Sequence, residues 1–161
     1  MRVLAIDNKL MSFPSKMAIV DSDARVVFSC KTHAGILGPS WSIVRGATEV
    51  ASLHQGLSFT HAWKVRSELG DFNVHRKITW LTRVLEVVGG PFDRAVLSGS
   101  LLDREFELMF RGAIVARAHA GLMSLRDHHV IEILSDAKGI ELITAIAMVC
   151  LHAEHIEEHA I

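Results

Sequence analysis

Cysteine is scarce in this chain, with Cys30 and Cys150 the two thiols among 161 residues. Two cysteines in apolar surroundings make no disulfide framework and read as buried free thiols of a reducing compartment. An excess of one charge is lacking too. The formal net charge is −1 and the pI near 6.8, which excludes the concentrated positive field of a dedicated nucleic-acid binder. Long apolar runs are absent. The longest near the C-terminus, Leu142 to Leu151, is ten residues with Thr144 inside it, half of the roughly twenty that a spanning helix needs. Asp7 and Lys9 interrupt the apolar N-terminus, so no secretory signal is readable. Neither a P-loop nor a G-x-G-x-x-G fingerprint occurs, and no cofactor is implied. The expectation is a cytoplasmic protein, at most peripheral to a membrane.

What is present reads as one folded unit over residues 1–161. Half the residues are apolar and 22% charged, the composition of a packed core, and the length suffices to bury about two thirds of the unfolded surface. Charge is uneven along the chain. Residues 1–80 carry ten Lys and Arg against six Asp and Glu, a balance of +4; residues 81–161 carry seven against twelve, a balance of −5.

The most informative pattern is a recurrence of turns. Asp21-Ser22-Asp23-Ala24, Arg45-Gly46-Ala47-Thr48, Leu69-Gly70-Asp71, Gly89-Gly90-Pro91 and Arg111-Gly112 recur every 20 to 24 residues. Each suits a hairpin, because Gly supplies positive φ and Asp bonds its own backbone. A second set of breakers falls between them, at Gly35 to Pro39, Gly56-Leu57-Ser58, Ser98-Gly99-Ser100 and Gly121. The intervening segments alternate with period two: Trp63, Val65 and Ser67 against Lys64 and Arg66, and Phe106, Leu108 and Phe110 against Glu105, Glu107 and Met109. That is the signature of half-buried strands. About twelve are predicted, near 3–9, 15–20, 25–32, 41–45, 49–54, 62–67, 72–78, 83–88, 93–98, 104–110, 113–120 and 127–134. A meandering closed barrel accommodates them and removes the sheet edges.

Near Ser135 the pattern changes. Ser135 and Asp136 are suitable N-caps, and Glu141 complements a helix dipole. From Ile140 to Leu151 every residue except Glu141 and Thr144 is apolar. A helix apolar on all faces and too short to span must be enclosed by protein. The prediction is a central helix over about 136–152, inside the barrel.

Twelve short strands followed by a buried C-terminal helix resemble the LURP-one-related family and its tubby-like fold. The resemblance begins at Met11-Ser12-Phe13 and Lys16 to Asp21. It is clearest in Val96-Leu97-Ser98-Gly99-Ser100 with Phe106-Glu107-Leu108, in Gly112 to Ala116, and in His129-Val130-Ile131-Glu132-Ile133. It departs from the family at His129, where relatives often carry Tyr. The resemblance implies a barrel threaded by a hydrophobic helix. It also implies a distant fold relation to tubby domains, which bind phosphoinositides on the barrel exterior, and to phospholipid scramblases.

No catalytic constellation emerges. Asp103-Arg104-Glu105 and Asp21-Ser22-Asp23 fall in turns or exposed strands, where solvated carboxylates are ordinary. His152, His155 and His159 share one helical face near Glu154, Glu157 and Glu158. Such spacing suits zinc or nickel, but a solvated helix end rich in His and Glu is the ordinary reading, and no metal site is assigned. The basic residues give the best candidate. Lys64 and Arg66 share a strand face, and Arg76-Lys77 lie on the next strand, with Arg83 following and Trp63 and Trp80 nearby. If Lys64, Arg66 and one of Arg76 or Lys77 converge, they form a cationic patch for an anionic headgroup. Two readings follow. One is a non-enzymatic module that binds an anionic phospholipid or membrane surface. The other is a structural or protein-interaction domain, a homo-oligomer included, without lipid affinity.

Overall fold

The computed structural model describes residues 2–7, 16–33, 38–56, 62–78, 83–100, 105–120 and 129–159. Twelve strands and one helix follow in sequence. The strands are β1 (Arg2–Asp7), β2 (Lys16–Asp21), β3 (Val26–His33), β4 (Ser40–Arg45), β5 (Thr48–Gln55) and β6 (Ala62–Ser67). The second half comprises β7 (Gly70–Ile78), β8 (Arg83–Val88), β9 (Val96–Ser100), β10 (Glu105–Phe110), β11 (Ala113–Ala120) and β12 (His129–Ile133), then α1 (Ile140–His159). Each strand pairs antiparallel with its neighbours in sequence, and β1 closes the ring on β12 from Arg2↔Ile133 to Ile6↔His129. The result is the expected closed barrel.

Closure follows from the alternation. On β6, Trp63 and Val65 are buried while Lys64 and Arg66 are exposed; on β10, Phe106 and Leu108 are buried while Glu105 and Met109 are exposed. One pleat of every strand therefore faces a common interior. The axis of that interior is α1, in which Ile140, every residue from Leu142 to Leu151, and Ala153 are buried. A helix apolar on every side has no solvent face to offer, and the surrounding wall meets all of its faces. Its one buried hydroxyl is satisfied within the helix, Thr144 Oγ1 donating to the Ile140 carbonyl at 2.7 Å. Cys30 and Cys150 are free and buried. Desolvation pushes the Cys30 thiol up to about 12, so it stays protonated at neutral pH and is no nucleophile.

Alternating strand direction gives the barrel two ends. The tight turns, at 22–25, 46–47, 68–69, 89–95, 111–112 and 134–139, all lie at the end where α1 begins. Among the described residues, three β-bulges, at Ile19/Val20, Ile43/Val44 and Leu108/Met109, lie toward that same end. An extra residue in one strand adds twist and bends the wall.

Two expectations change. The helix starts at Ile140 and runs to His159, displaced from the predicted 136–152. Ser135 does not cap it. Its Oγ accepts instead from the Ala137 N–H at 3.2 Å, forming a local turn, and Gly139 then takes φ +89° to enter the helix. The positive φ favours glycine at 139, and an added Cβ would also press on Leu69 Cδ2 at 2.6 Å, so that the Leu69 side chain would have to shift. The second change concerns Ser98-Gly99-Ser100, which is no breaker but the end of β9. Gly99 pairs with Phe106, whose ring occupies the space of the missing side chain: an added Cβ would stand 2.2 Å from Phe106 Cδ1 and 2.2 Å from the Glu105 carbonyl. Glycine here marks close packing within a strand, not a turn. The breakers at Gly121, and most of those at 35–37 and 57–58, lie outside the described residues.

Candidate functional site

The register of β2 to β7 fixes which outward side chains are neighbours. One cross-strand row reads Lys16, Lys31, Ser42, Ser52, Arg66 and Asp71. The adjacent row, nearer the end where α1 terminates, reads His33, Ser40, His54, Lys64 and Asn73. Directly opposed side chains have Cβ atoms about 4.5–5.5 Å apart. From β2 to β6 these rows contain no carboxylate. Acids appear only at the margins, with Asp71 across from Arg66 and with Glu49 and Glu68 nearer the turn end.

Among the described residues, Lys16, Lys31, Lys64 and Arg66 take part in no ion pair. Other cations are compensated. Arg2 pairs with Glu141, Arg45 with Glu68 at 2.8 Å, Lys77 with Glu86, and Arg117 with Glu107 at 3.5 Å. Lys16 and Lys31 even stand directly opposite one another, an arrangement that costs some stability.

The four basic residues singled out from the sequence separate in the barrel. Lys64 and Arg66 project outward from β6 and are exposed, as expected. Lys77 is also exposed on β7, but the carboxylate of Glu86 neutralises it. Arg76 follows Phe72 and Val74 on the inward pleat, pairs with buried Leu85 and is half-buried, so it is not on this outer face. Trp63 does not flank the patch: it is fully buried inside the barrel, its indole N–H without a hydrogen-bond partner. Trp80 and the Arg83 side chain lie outside the described residues. The charge surface therefore extends from Lys64 and Arg66 toward β2, away from Arg76. Lys16, Lys31, His33 and His54 were missed because they are distant in sequence and join the patch only through register.

Two other sites were considered. His152 meets Trp41 edge-on, with ring centroids 5.7 Å apart. The side chains of His155 and His159 lie outside the described residues, and no metal-binding group of His, Cys, Asp or Glu occurs among the described ones. At the turn end, a cavity of about 800 Å³ opens beside the start of α1. Arg2, Arg45, Glu68 and Glu141 form its rim over Leu69 and Ile140. Both guanidiniums there are engaged by glutamates, so their charge is balanced within the cavity.

The interior and exterior together oppose the plan of a transmembrane barrel, which turns its apolar residues outward. No described helix is long and apolar enough to cross a membrane.

Comparison with known proteins bears on the same architecture. A crystal structure of an Arabidopsis thaliana protein superposes with a TM-score of 0.67 at 18% identity, covering 95% of this chain and 90% of that one. At that identity the likeness shows the fold. No curated protein matches the chain. The model of the LURP-one-related family matches residues 2–152, nearly the whole barrel and most of its helix. The chain belongs to the LURP-one-related family.

Proposed function

We propose that this domain is a non-enzymatic binding module that docks reversibly on anionic phospholipid surfaces through the outer face of β2–β6. The observation that supports it most is the pair of rows that carry no carboxylate from β2 to β6, in which Lys16, Lys31, Lys64 and Arg66 form no ion pair among the described residues and Asp71 stands only at the margin, across from Arg66. Each basic residue near an anionic bilayer contributes about 1 kcal/mol. Four give about 4 kcal/mol, equivalent to a dissociation constant near 1 mM before any headgroup-specific contact. That is the strength of a peripheral module. Free buried cysteines suit a reducing compartment, and we read the protein as cytoplasmic.

Vesicle co-sedimentation tests the proposal. The protein should pellet with vesicles containing phosphatidylserine at low salt, remain soluble with neutral phosphatidylcholine, and be released as salt shortens the screening length to about 8 Å. Failure to pellet with phosphatidylserine at low salt would end the lipid reading.

A second reading, a protein-interaction domain, has its own observation. On the opposite half of the wall, outward-facing Val96, Met109 and Ile114 form a cross-strand row, extended by Leu134, whose N–H bonds to the Val115 carbonyl. Met109 and Leu134 are exposed. Self-association that Met109→Glu abolishes, without any vesicle binding, would favour this reading.

A further inference from the structure

We infer that the centre of the cationic face is a cradle for a phosphate monoester, with serine hydroxyls as its floor and cations as its walls. The inference rests on reading this face as an anion-binding surface, and it adds a chemical preference that charge alone does not supply.

The cradle is defined by four strands. In the first row, Lys31 and Arg66 enclose Ser42 and Ser52; in the second, His33 and Lys64 enclose Ser40 and His54. Three inter-strand steps separate β3 from β6, about 14 Å at the usual strand spacing. The walls are long, flexible side chains and the central positions are short ones, so the middle of the face is a trough. Ser42 shows its depth. It points outward, yet it is only 8% exposed.

The donors in the trough are oriented. His33 Nε2 lies 3.0 Å from Ser42 Oγ. When the ring N–H donates to that oxygen, the Ser42 O–H is free to donate into the trough. At the rim the Ser40 hydroxyl is taken, its Oγ donating to the His33 carbonyl at 3.5 Å. Ser52 presents a second hydroxyl beside Ser42, across the β4–β5 ladder.

These donors approach from several strands and from opposite sides. That arrangement suits a tetrahedral group better than a planar carboxylate. A phosphate monoester brings three strong acceptor oxygens and up to two charges. A diester offers two terminal oxygens and one charge, leaving one wall or the floor without a partner. A monoester headgroup on a lipid and a soluble phosphate monoester share this chemistry.

The test uses the full chain with two sets of vesicles matched for surface charge, one of phosphatidic acid and one of phosphatidylserine, each diluted in phosphatidylcholine. Glycerol 3-phosphate serves as the soluble competitor. Wild type should bind phosphatidic acid about tenfold more tightly, the worth of one charge-assisted hydrogen bond. Ser42→Ala with Ser52→Ala should bring the ratio to one while phosphatidylserine binding stays unchanged. Ser52→Ala alone, at a half-buried position, should reduce the ratio and covers the case in which the double variant melts early. Glycerol 3-phosphate should compete with the first set more than with the second. Binding of glycerol 3-phosphate without vesicle binding supports the cradle and assigns a soluble ligand. Equal binding to both vesicle sets, unaltered by the serine substitutions, would overturn the cradle and leave the general anionic-surface reading intact. No binding to either vesicle set or to glycerol 3-phosphate defeats both.

Discussion

On the outer face of β10–β12, Glu107, Arg117 and Glu132 stand side by side in one row, and His119 lies 3.8 Å from Glu132. On the outer face of β2–β6, Lys16 faces Lys31, and Lys64 and Arg66 have only Ser, His and Asn or a single marginal Asp beside them. Both faces belong to the same sheet, and both strand sets bury the same kind of apolar pleat. Solubility and folding account for the compensated face and leave the uncompensated one unexplained. An uncompensated face keeps a local cost that an anionic partner removes. The contrast between the two halves carries more functional information than the net charge, in which they cancel.

The comparison presumes one rigid wall supported throughout by α1. Ala147 lies mid-helix with 4% exposure, and Ala147→Asp would place an unpaired charge in the dry interior. The expected loss is on the order of 5 kcal/mol, seen as an insoluble protein or a broad, non-cooperative melt by circular dichroism. A cooperatively melting variant would mean that α1 is not enclosed. Gly99→Ala is the next largest. Its Cβ would meet a carbonyl oxygen and the Phe106 ring at 2.2 Å, and the resulting overpacking should cost about 2 kcal/mol in urea denaturation.

The surface charges should act weakly on stability and in opposite directions. Arg117→Ala removes the partner of Glu107 and should destabilise by about 0.5 kcal/mol. Lys31→Thr relieves the Lys16–Lys31 opposition and should stabilise by a few tenths, about 0.3 kcal/mol. Destabilisation of equal size by both, measured by chemical denaturation, would remove the distinction between the faces.

Much of the barrel was legible in the sequence because its signals are local. Period-two alternation in Trp63-Lys64-Val65-Arg66 and hairpin residues such as Arg45-Gly46-Ala47-Thr48 each depend on a few adjacent residues. The enclosed helix was legible for a different reason: a ten-residue segment apolar but for Thr144 has few stable locations. Gly99 was read as a breaker because a glycine's local freedom and its tight packing look alike until its cross-strand partner is known. The start of α1 depends likewise on Leu69, seventy residues away, which packs against Gly139.

The functional face was legible only in part. Lys64 and Arg66 alternate with buried residues on one strand, so their outward direction was readable. Arg76 and Lys77 are adjacent on β7 and must project to opposite sides, which leaves only Lys77 outward. Lys16, Lys31 and His33 approach Lys64 and Arg66 through four ladder registers, and no linear motif records such a row.

The most direct test of the account compares two variants with the same change in net charge. Lys64→Glu with Arg66→Glu reverses two charges on the uncompensated face. Arg94→Glu with Arg111→Glu reverses two exposed charges in the turns after β8 and β10. Co-sedimentation with phosphatidylserine vesicles at low salt is the measurement. The account predicts that the first variant stays in the supernatant, having lost about 2 kcal/mol of attraction and gained repulsion, while the second pellets as wild type does. Equal loss in both, with both folded, would show that the vesicle responds to net charge and that the face has no special role.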